Sequence, residues 1–524
     1  MWASPEPYNP STTLANKANL WPVAWRVGGE CCRVSDMRSK PFTDRSTMMA
    51  GTGTGSASAA LVEWGRPANL SLSVSFNLQL IIRTSGSNPA IAYGSGLYGY
   101  WGIMNSLTML VWTRPQFDAA RIVKVESEAM KKKGEKDGGA HVSGVNGAHC
   151  KPLAERGENG SAYSSRPNVS VVQAEKGYTY YWEPYPINAP FRRRMELGHR
   201  YCSSPPRPRF QEPYERVKLE DIPKTAQAGY TRHDTAKEYL YDNLKLFATS
   251  YILLDAMSTY MPLDPFFVVG PNTLPLPHVL QALPNLLVDF LRNLLVLISV
   301  WRVVLLVLSY LDILQYFIGG YFYPIRREAW QHPSVFGSFT PVLDRGLAGF
   351  WGGWWHQTFR MPFTAPVSWL VAEGHLPARA ELTNILKVLS AFLNSGLLHA
   401  CGSYTTFAPT KLYHAPLFFA FSALGIYVQQ AACVRLAPVL TRLPKAVRQC
   451  GNLLFTVLWL WATCWPLAYD FGTAGLWLFE PVPISLFKGL GLGADGESWW
   501  RWHDYLLTWH SGKHWWQTGL ALGA

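Results

Sequence analysis

Apolar and polar positions are distributed very unevenly along the chain. Residues 1–60 and 121–235 are polar, whereas most of 240–490 is apolar. Long uncharged runs with few polar breaks predict helices that cross or lie against a membrane. Ile91–Trp112 has 22 residues without a charge, closed by Arg114, and Gly94, Gly96, Gly99 and Gly102 suit close helix packing. Leu70–Ile82 is a shorter run between Arg66 and Arg83. Asn243–Leu263 reads as amphipathic and membrane-associated. Leu274–Leu311 holds one or two spans, of which Asn293–Leu311 is the clearest. Asn384–Cys401, Leu412–Val434 and Cys450–Tyr469 follow as spans. Gly475–Gly493, interrupted by Glu480, Pro481 and Pro483, reads as a re-entrant or broken segment. The pattern predicts an all-α polytopic membrane protein with six to eight helical spans.

The same pattern suggests five regions. Residues 1–60 read as a disordered leader ending in the flexible Gly51–Ala60 run. Residues 61–120 hold the first membrane segments, 121–235 a polar loop, 236–493 the membrane core, and 494–524 an aromatic-rich tail. The leader shows no signal-peptide layout. The polar loop carries 20 Lys and Arg against 14 Asp and Glu, with Lys131, Lys132, Lys133 and Lys136 near a span end, which favours the cytoplasmic side. Its N-x-S sequons at Asn159 and Asn168 would not be glycosylated there.

Composition sharpens this picture. Charged residues make up 16% of the 524, below the roughly 25% of soluble domains, while aromatics reach 14% and exclude disorder for most of the chain. Mean hydropathy is near zero only because polar segments dilute an apolar body. The net charge of +12 forms no stripe with a nucleic-acid motif, so no nucleic-acid partner is expected and a topology signal explains it more simply. The 23 tryptophans suit interfaces and large pockets. The cysteines show no C-x-x-C and read as free thiols.

Polar groups within apolar stretches are the candidates for chemistry, because each costs free energy at membrane depth. His399 stands in Asn394-Ser395-Gly396-Leu397-Leu398-His399-Ala400. With small residues one turn back, it suits a general base, or a histidine bonded to a neighbouring helix. Phe350–Arg360 packs three tryptophans, two glycines, His356, Gln357 and Arg360 into eleven residues. It reads equally as a pocket wall with donors or as an interfacial aromatic belt. Arg302, inside a span, faces a pocket or snorkels to a headgroup. His503, His510 and His514 share a helix face at most, and the interfacial reading is favoured over a metal site. The Ser, metal and phosphate-loop signatures of soluble enzymes are missing.

These two motifs resemble the wax-synthase-like membrane O-acyltransferases of fungi and plants. Phe350–Arg360 is similar to that family's F-W-G-R-R-W-H-Q-x-x-R, and Ser395–Ala400 to its S-G-x-x-H element, with 43 positions between His356 and His399. Weaker similarity runs from about 91 to 490, through Trp112–Gln116, Phe117–Arg121, Asp264–Phe267, Pro438, Arg448 and Trp459. Gly353 and Trp354 stand where the family has two arginines, and Arg194–Arg200 does not carry its R-G-x-G-W-N element cleanly.

The resemblance implies an acyl-CoA-dependent O-acyltransferase, with acetyl-CoA favoured and no metal. Its acceptor would be a hydrophobic alcohol, foremost a terpenoid or other secondary-metabolite hydroxyl. It also implies a multi-pass protein of the endoplasmic reticulum bilayer, with the oligomeric state open. His399 is then the expected base, and His356 and Gln357 orient the substrate or stabilise the oxyanion. Trp351, Trp355, Arg360, Asn394 and Ser395 are expected substrate or coenzyme contacts. Long-chain wax ester synthesis is the alternative chemistry. A transporter or scaffold is the alternative class, but the paired broken helices of transporters are not apparent.

Overall fold

The computed structural model describes residues 56–83, 88–113, 120–126, 178–184, 224–225, 230–322, 324–406, 408–494, 496–502, 507–513 and 518–522. Helix α1 (Ser56–Arg83) begins inside the Gly51–Ala60 run read as a linker. Helix α2 is Pro89–Leu107, with a π turn at Thr108–Trp112. Strands β1 (Ala120–Glu126) and β2 (Tyr178–Pro184) pair antiparallel. Then come α3 (Ala236–Tyr260), α4 (Asn285–Leu314) and the short α5 (Thr340–Arg345). Next are α6 (Arg360–Ala372), α7 (Glu381–Thr405), α8 (His414–Arg435), α9 (Lys445–Thr463) and α10 (Trp465–Thr473). Strands β3 (Leu507–His510) and β4 (Gly519–Leu522) form a second hairpin. The fold is therefore mostly helical rather than wholly so.

Helix starts follow local chemistry. Asn88 caps α2 by accepting from the amides of Ala90 (3.0 Å) and Ile91 (3.2 Å), with Pro89 at the first position. Thr235 caps α3 through the Glu238 amide (3.2 Å), and the Glu238 carboxylate reaches back to the Asp234 amide.

Among the described residues, three helical stretches are long and apolar enough to cross a membrane: Asn285–Phe322, Glu381–Thr405 and His414–Arg435. The pair α9 and α10, bent by 47° at Cys464, makes a fourth if it is one span. The expected six to eight exceed this, and the reason is specific. Low charge was read as apolarity, yet α2 is rich in Gly, Tyr, Ser and Asn. Helices α1, α2 and α3 have 28, 19 and 25 residues but do not qualify by composition. Gly475–Gly493 is no span: it folds into a three-residue turn, Leu476–Leu478, and a four-residue helix, Leu486–Gly489. Its half-buried Glu480 pairs with Lys488 and Arg501.

The outward face of α4 shows what a lipid-facing helix looks like. Leu294, Val303, Val307 and Tyr310 are exposed, and only 22% of its most apolar stretch is buried. Helix α2 is different, lying between α1 and α7. Three of its four glycines explain the close approach. A Cβ at Gly96 would strike the Cys401 carbonyl of α7; at Gly99 it would come 2.7 Å from Ile81 of α1, and at Gly102 it would meet Asn77. Gly94 faces open space. Thr405 locks the crossing by donating to the Ala92 carbonyl (2.6 Å).

Candidate active site

His399 lies on α7, half-buried, in a wall built by three other helices. Its ring stacks on Phe419 of α8 (centroids 5.5 Å, 21°) and meets Phe471 of α10 at 6.0 Å. The Tyr93 hydroxyl of α2 sits 3.2 Å from His399 Nδ1 and 3.2 Å from the His399 carbonyl. Nε2 makes no hydrogen bond among the described residues.

Phe350–Trp354 forms a π turn, closed by the Trp355 amide donating to the Phe350 carbonyl at 2.8 Å. Such wide turns need extra room, and glycine gives it here. Gly346, at φ +59°, starts the segment, and the Leu347 amide donates to Gln429 (2.9 Å). A side chain at Gly353 would come 2.6 Å from Pro341 and 2.9 Å from the Arg345 guanidinium. An arginine at 353 therefore has no space in this packing, and the guanidinium beside that position comes from Arg345 instead.

The aromatic rings connect the two motifs. Trp351 meets Phe392 of α7 (5.6 Å) and Phe419 (5.8 Å), the same ring that stacks on His399. Trp355 stacks on Phe350 (5.6 Å, 18°) and meets His356 at 5.5 Å. His356 and His399, 43 positions apart, are thus joined through a continuous set of aromatic rings. Burial first, and then the nearby His399, pull the His356 pKa down to about 4, so this imidazole is neutral near pH 7. His356 Nδ1 and Trp351 Nε1 are buried without a hydrogen-bond partner.

Other expected contacts are differently occupied. Both donors of Gln357 serve the backbone, reaching the carbonyls of Trp351 (2.7 Å) and Trp355 (2.8 Å), while its oxygen accepts from Arg360 (3.2 Å). Gln357 thus ties off the π turn and has no donor left for an oxyanion. Asn394 accepts from Tyr100 (2.7 Å) and donates to the Ser390 carbonyl (2.7 Å), joining α2 to α7 rather than facing substrate. Ser395 turns back to the Ala391 carbonyl (2.9 Å). Arg360 is exposed at the start of α6. Arg302 lies over its neighbour Trp301 (4.2 Å), with Nε buried and unpartnered. Lys131–Lys136, both sequons, Arg194–Arg200, His503 and His514 lie outside the described residues, as does the side chain of His510. Among the described residues, no group of three His, Cys, Asp or Glu could hold a metal ion.

Sequence reasoning missed Tyr93, Phe419, Phe471 and the buried Asp470, whose Oδ1 accepts from Ser403 (2.7 Å). Tyr93 lay in plain view as a polar tip three residues before Gly96, in the glycine-rich run. Asp470 was the sole acid between Arg448 and Glu480, in an otherwise apolar stretch.

Residues 332–421 match the model of the membrane bound O-acyl transferase family. The chain is 28% identical over 160 residues to acetyltransferase spyB of Aspergillus fumigatus, covering 30% of this chain and 26% of that one. It is 29% identical over 138 residues to acetyltransferase atnC of an Arthrinium species, covering 25% and 31%. It is also 26% identical over 124 residues to the O-mevalon transferase macI of Penicillium terrestre, covering 20% and 28%. The match thus spans about a quarter of the length of these curated relatives. No solved structure matches. Residues 332–421, the segment that carries both histidines, are therefore the part of the chain that is similar to the membrane bound O-acyl transferase family.

Proposed function

We propose that the protein is an acyl-CoA-dependent O-acyltransferase that moves an acetyl group to a hydroxyl of a terpenoid or other secondary metabolite. One observation carries this reading: a continuous set of aromatic rings joins His399 to His356, and among the described residues His399 Nε2 has no hydrogen-bond partner. As the alcohol oxygen attacks the thioester carbonyl, Nε2 takes its proton. The tetrahedral oxyanion needs donors in a dry site, and the unpartnered His356 Nδ1 and Trp351 Nε1 are suited to that task. Collapse expels the coenzyme A thiolate, which recovers the proton from His399. Phe419, Phe471 and the tryptophans keep out the water that would hydrolyse the thioester.

The names of two relatives, acetyltransferases, support acetyl transfer, whereas a third is named an O-mevalon transferase. Helices α1, α2 and α3 are read as further membrane helices, of which α2 lies between α1 and α7, and this brings the count to six or seven. The endoplasmic reticulum is the proposed bilayer. The test incubates membranes containing the protein with labelled acetyl-CoA or palmitoyl-CoA and a panel of hydroxylated terpenoids and long-chain alcohols. Acetyl esters of a terpenoid support the reading. Palmitoyl esters of a long-chain alcohol would replace it with wax synthesis, and no ester from any pair would remove it.

A further inference from the structure

The Tyr93 hydroxyl touches two atoms of one residue, His399 Nδ1 and the His399 carbonyl oxygen, each at 3.2 Å. A phenol has one proton to give. The carbonyl oxygen only accepts, so the proton goes there. The tyrosine oxygen then presents its lone pairs to Nδ1, and a nitrogen facing lone pairs is stable only when it carries hydrogen. From this we infer that Tyr93 is a positioning residue that holds His399 in the Nδ1–H tautomer, leaving the Nε2 lone pair to act as base.

This inference rests on the acyltransferase reading and names a part that sequence motifs did not reach. The surroundings of Tyr93 are built for this contact. Its ring is 4% exposed and packs edge-on against Phe471 (5.6 Å, 87°), which also touches His399. Against α7 it lies over Gly402, where a Cβ would come 2.6 Å from the ring. Thr405 holds the preceding carbonyl, that of Ala92, at 2.6 Å, and Gly96 lets the backbones meet at Cys401. The α2–α7 crossing therefore fixes the hydroxyl beside the imidazole. As His399 gains a proton in the reaction, Nδ1–H becomes a stronger donor, so the contact strengthens when the base is working.

Tyr93→Phe keeps the ring and removes the hydroxyl. We expect kcat to fall roughly tenfold to a hundredfold, the scale of a hydrogen bond to a charged group, with KM unchanged for both substrates. Gly402→Ala, which pushes the ring away while leaving the hydroxyl in place chemically, should give the same split. The two changes together should cost no more than the larger one alone. His399→Ala and the wild type are assayed beside them, with detergent-extracted protein checked for a monodisperse profile. A Tyr93→Phe enzyme with kcat within twofold of wild type, or one changed only in KM, overturns the positioning role while His399→Ala remains dead. An active His399→Ala variant, or a wild type that transfers no acyl group, overturns the acyltransferase reading and this inference with it.

Discussion

The two halves of the site are held by different means. His399 is placed by whole helices: glycine contacts, the Thr405 bond and the Asn394 bracket fix α7 against α2. His356 is placed locally: Gln357 ties the carbonyls of Trp351 and Trp355, and Phe336, Trp355 and Phe359 pack on the imidazole. The first arrangement spreads its cost over a large packed surface, so no single polar contact decides the position of the base. The second concentrates its polar contacts, since the Gln357 amide makes both side-chain hydrogen bonds to the carbonyls of Trp351 and Trp355. Catalytic loss and structural loss should therefore separate on the α7 side and merge on the Gln357 side.

The largest effect tests the α7 side. His399→Ala should lower transfer by about 10³-fold or more, the upper range for general-base catalysis, while membrane insertion and thermal stability stay near wild type. Residual turnover near the native rate would strip this histidine of its role. Next, His356→Ala should cost on the order of 10²-fold in kcat, as for one lost oxyanion donor. Radiolabelled ester formation at saturating donor measures it, and a rate within threefold of wild type would leave the oxyanion to Trp351 or other groups.

Gln357→Ala tests the claim that structure and catalysis merge. Two backbone carbonyls lose their donor, and each such hydrogen bond contributes about 0.5–1.5 kcal/mol. A stability loss of about 1–3 kcal/mol should then appear in thermal melts together with slower transfer. If activity collapsed with the melt untouched, Gln357 would be acting on the substrate directly. Gln357→Glu should be no rescue, because a carboxylate cannot donate to either carbonyl.

Much of this contrast was legible beforehand, and the limits have physical causes. Both histidine motifs and the α4, α7 and α8 spans follow from local pattern, whereas the 47° bend at Cys464 falls inside the run Cys450–Tyr469 that reads as one span. The glycine spacing foretold a tight helix, though not which partner each glycine would meet. Three or four helical stretches among the described residues qualify as spans by length and composition, fewer than the six to eight read from uncharged runs, because uncharged Tyr, Ser, Asn and Gly lower the hydropathy of a helix such as α2. Gln357, Asn394 and Ser395 carry the right polar atoms for a site, but their hydrogen bonds are spent on backbone and on Tyr100, and sequence does not reveal how a donor is spent. Tyr93 lies 306 positions from His399, beyond any local pattern.

The smallest effect lies at the rim of the Gln357 side. Arg360 is exposed, and its guanidinium donates to Gln357 Oε1 (3.2 Å), a contact between two side chains at the surface. An exposed contact of this kind contributes little to stability. Arg360→Ala should leave the melting temperature unchanged and kcat within about twofold. If the guanidinium meets a phosphate of coenzyme A, KM for acetyl-CoA should rise several-fold, whereas KM for an acetyl thioester of N-acetylcysteamine, which has no phosphate, should not move. Equal changes for both donors would mean that Arg360 acts only by steadying Gln357, and would extend the local control of this half of the site by one residue.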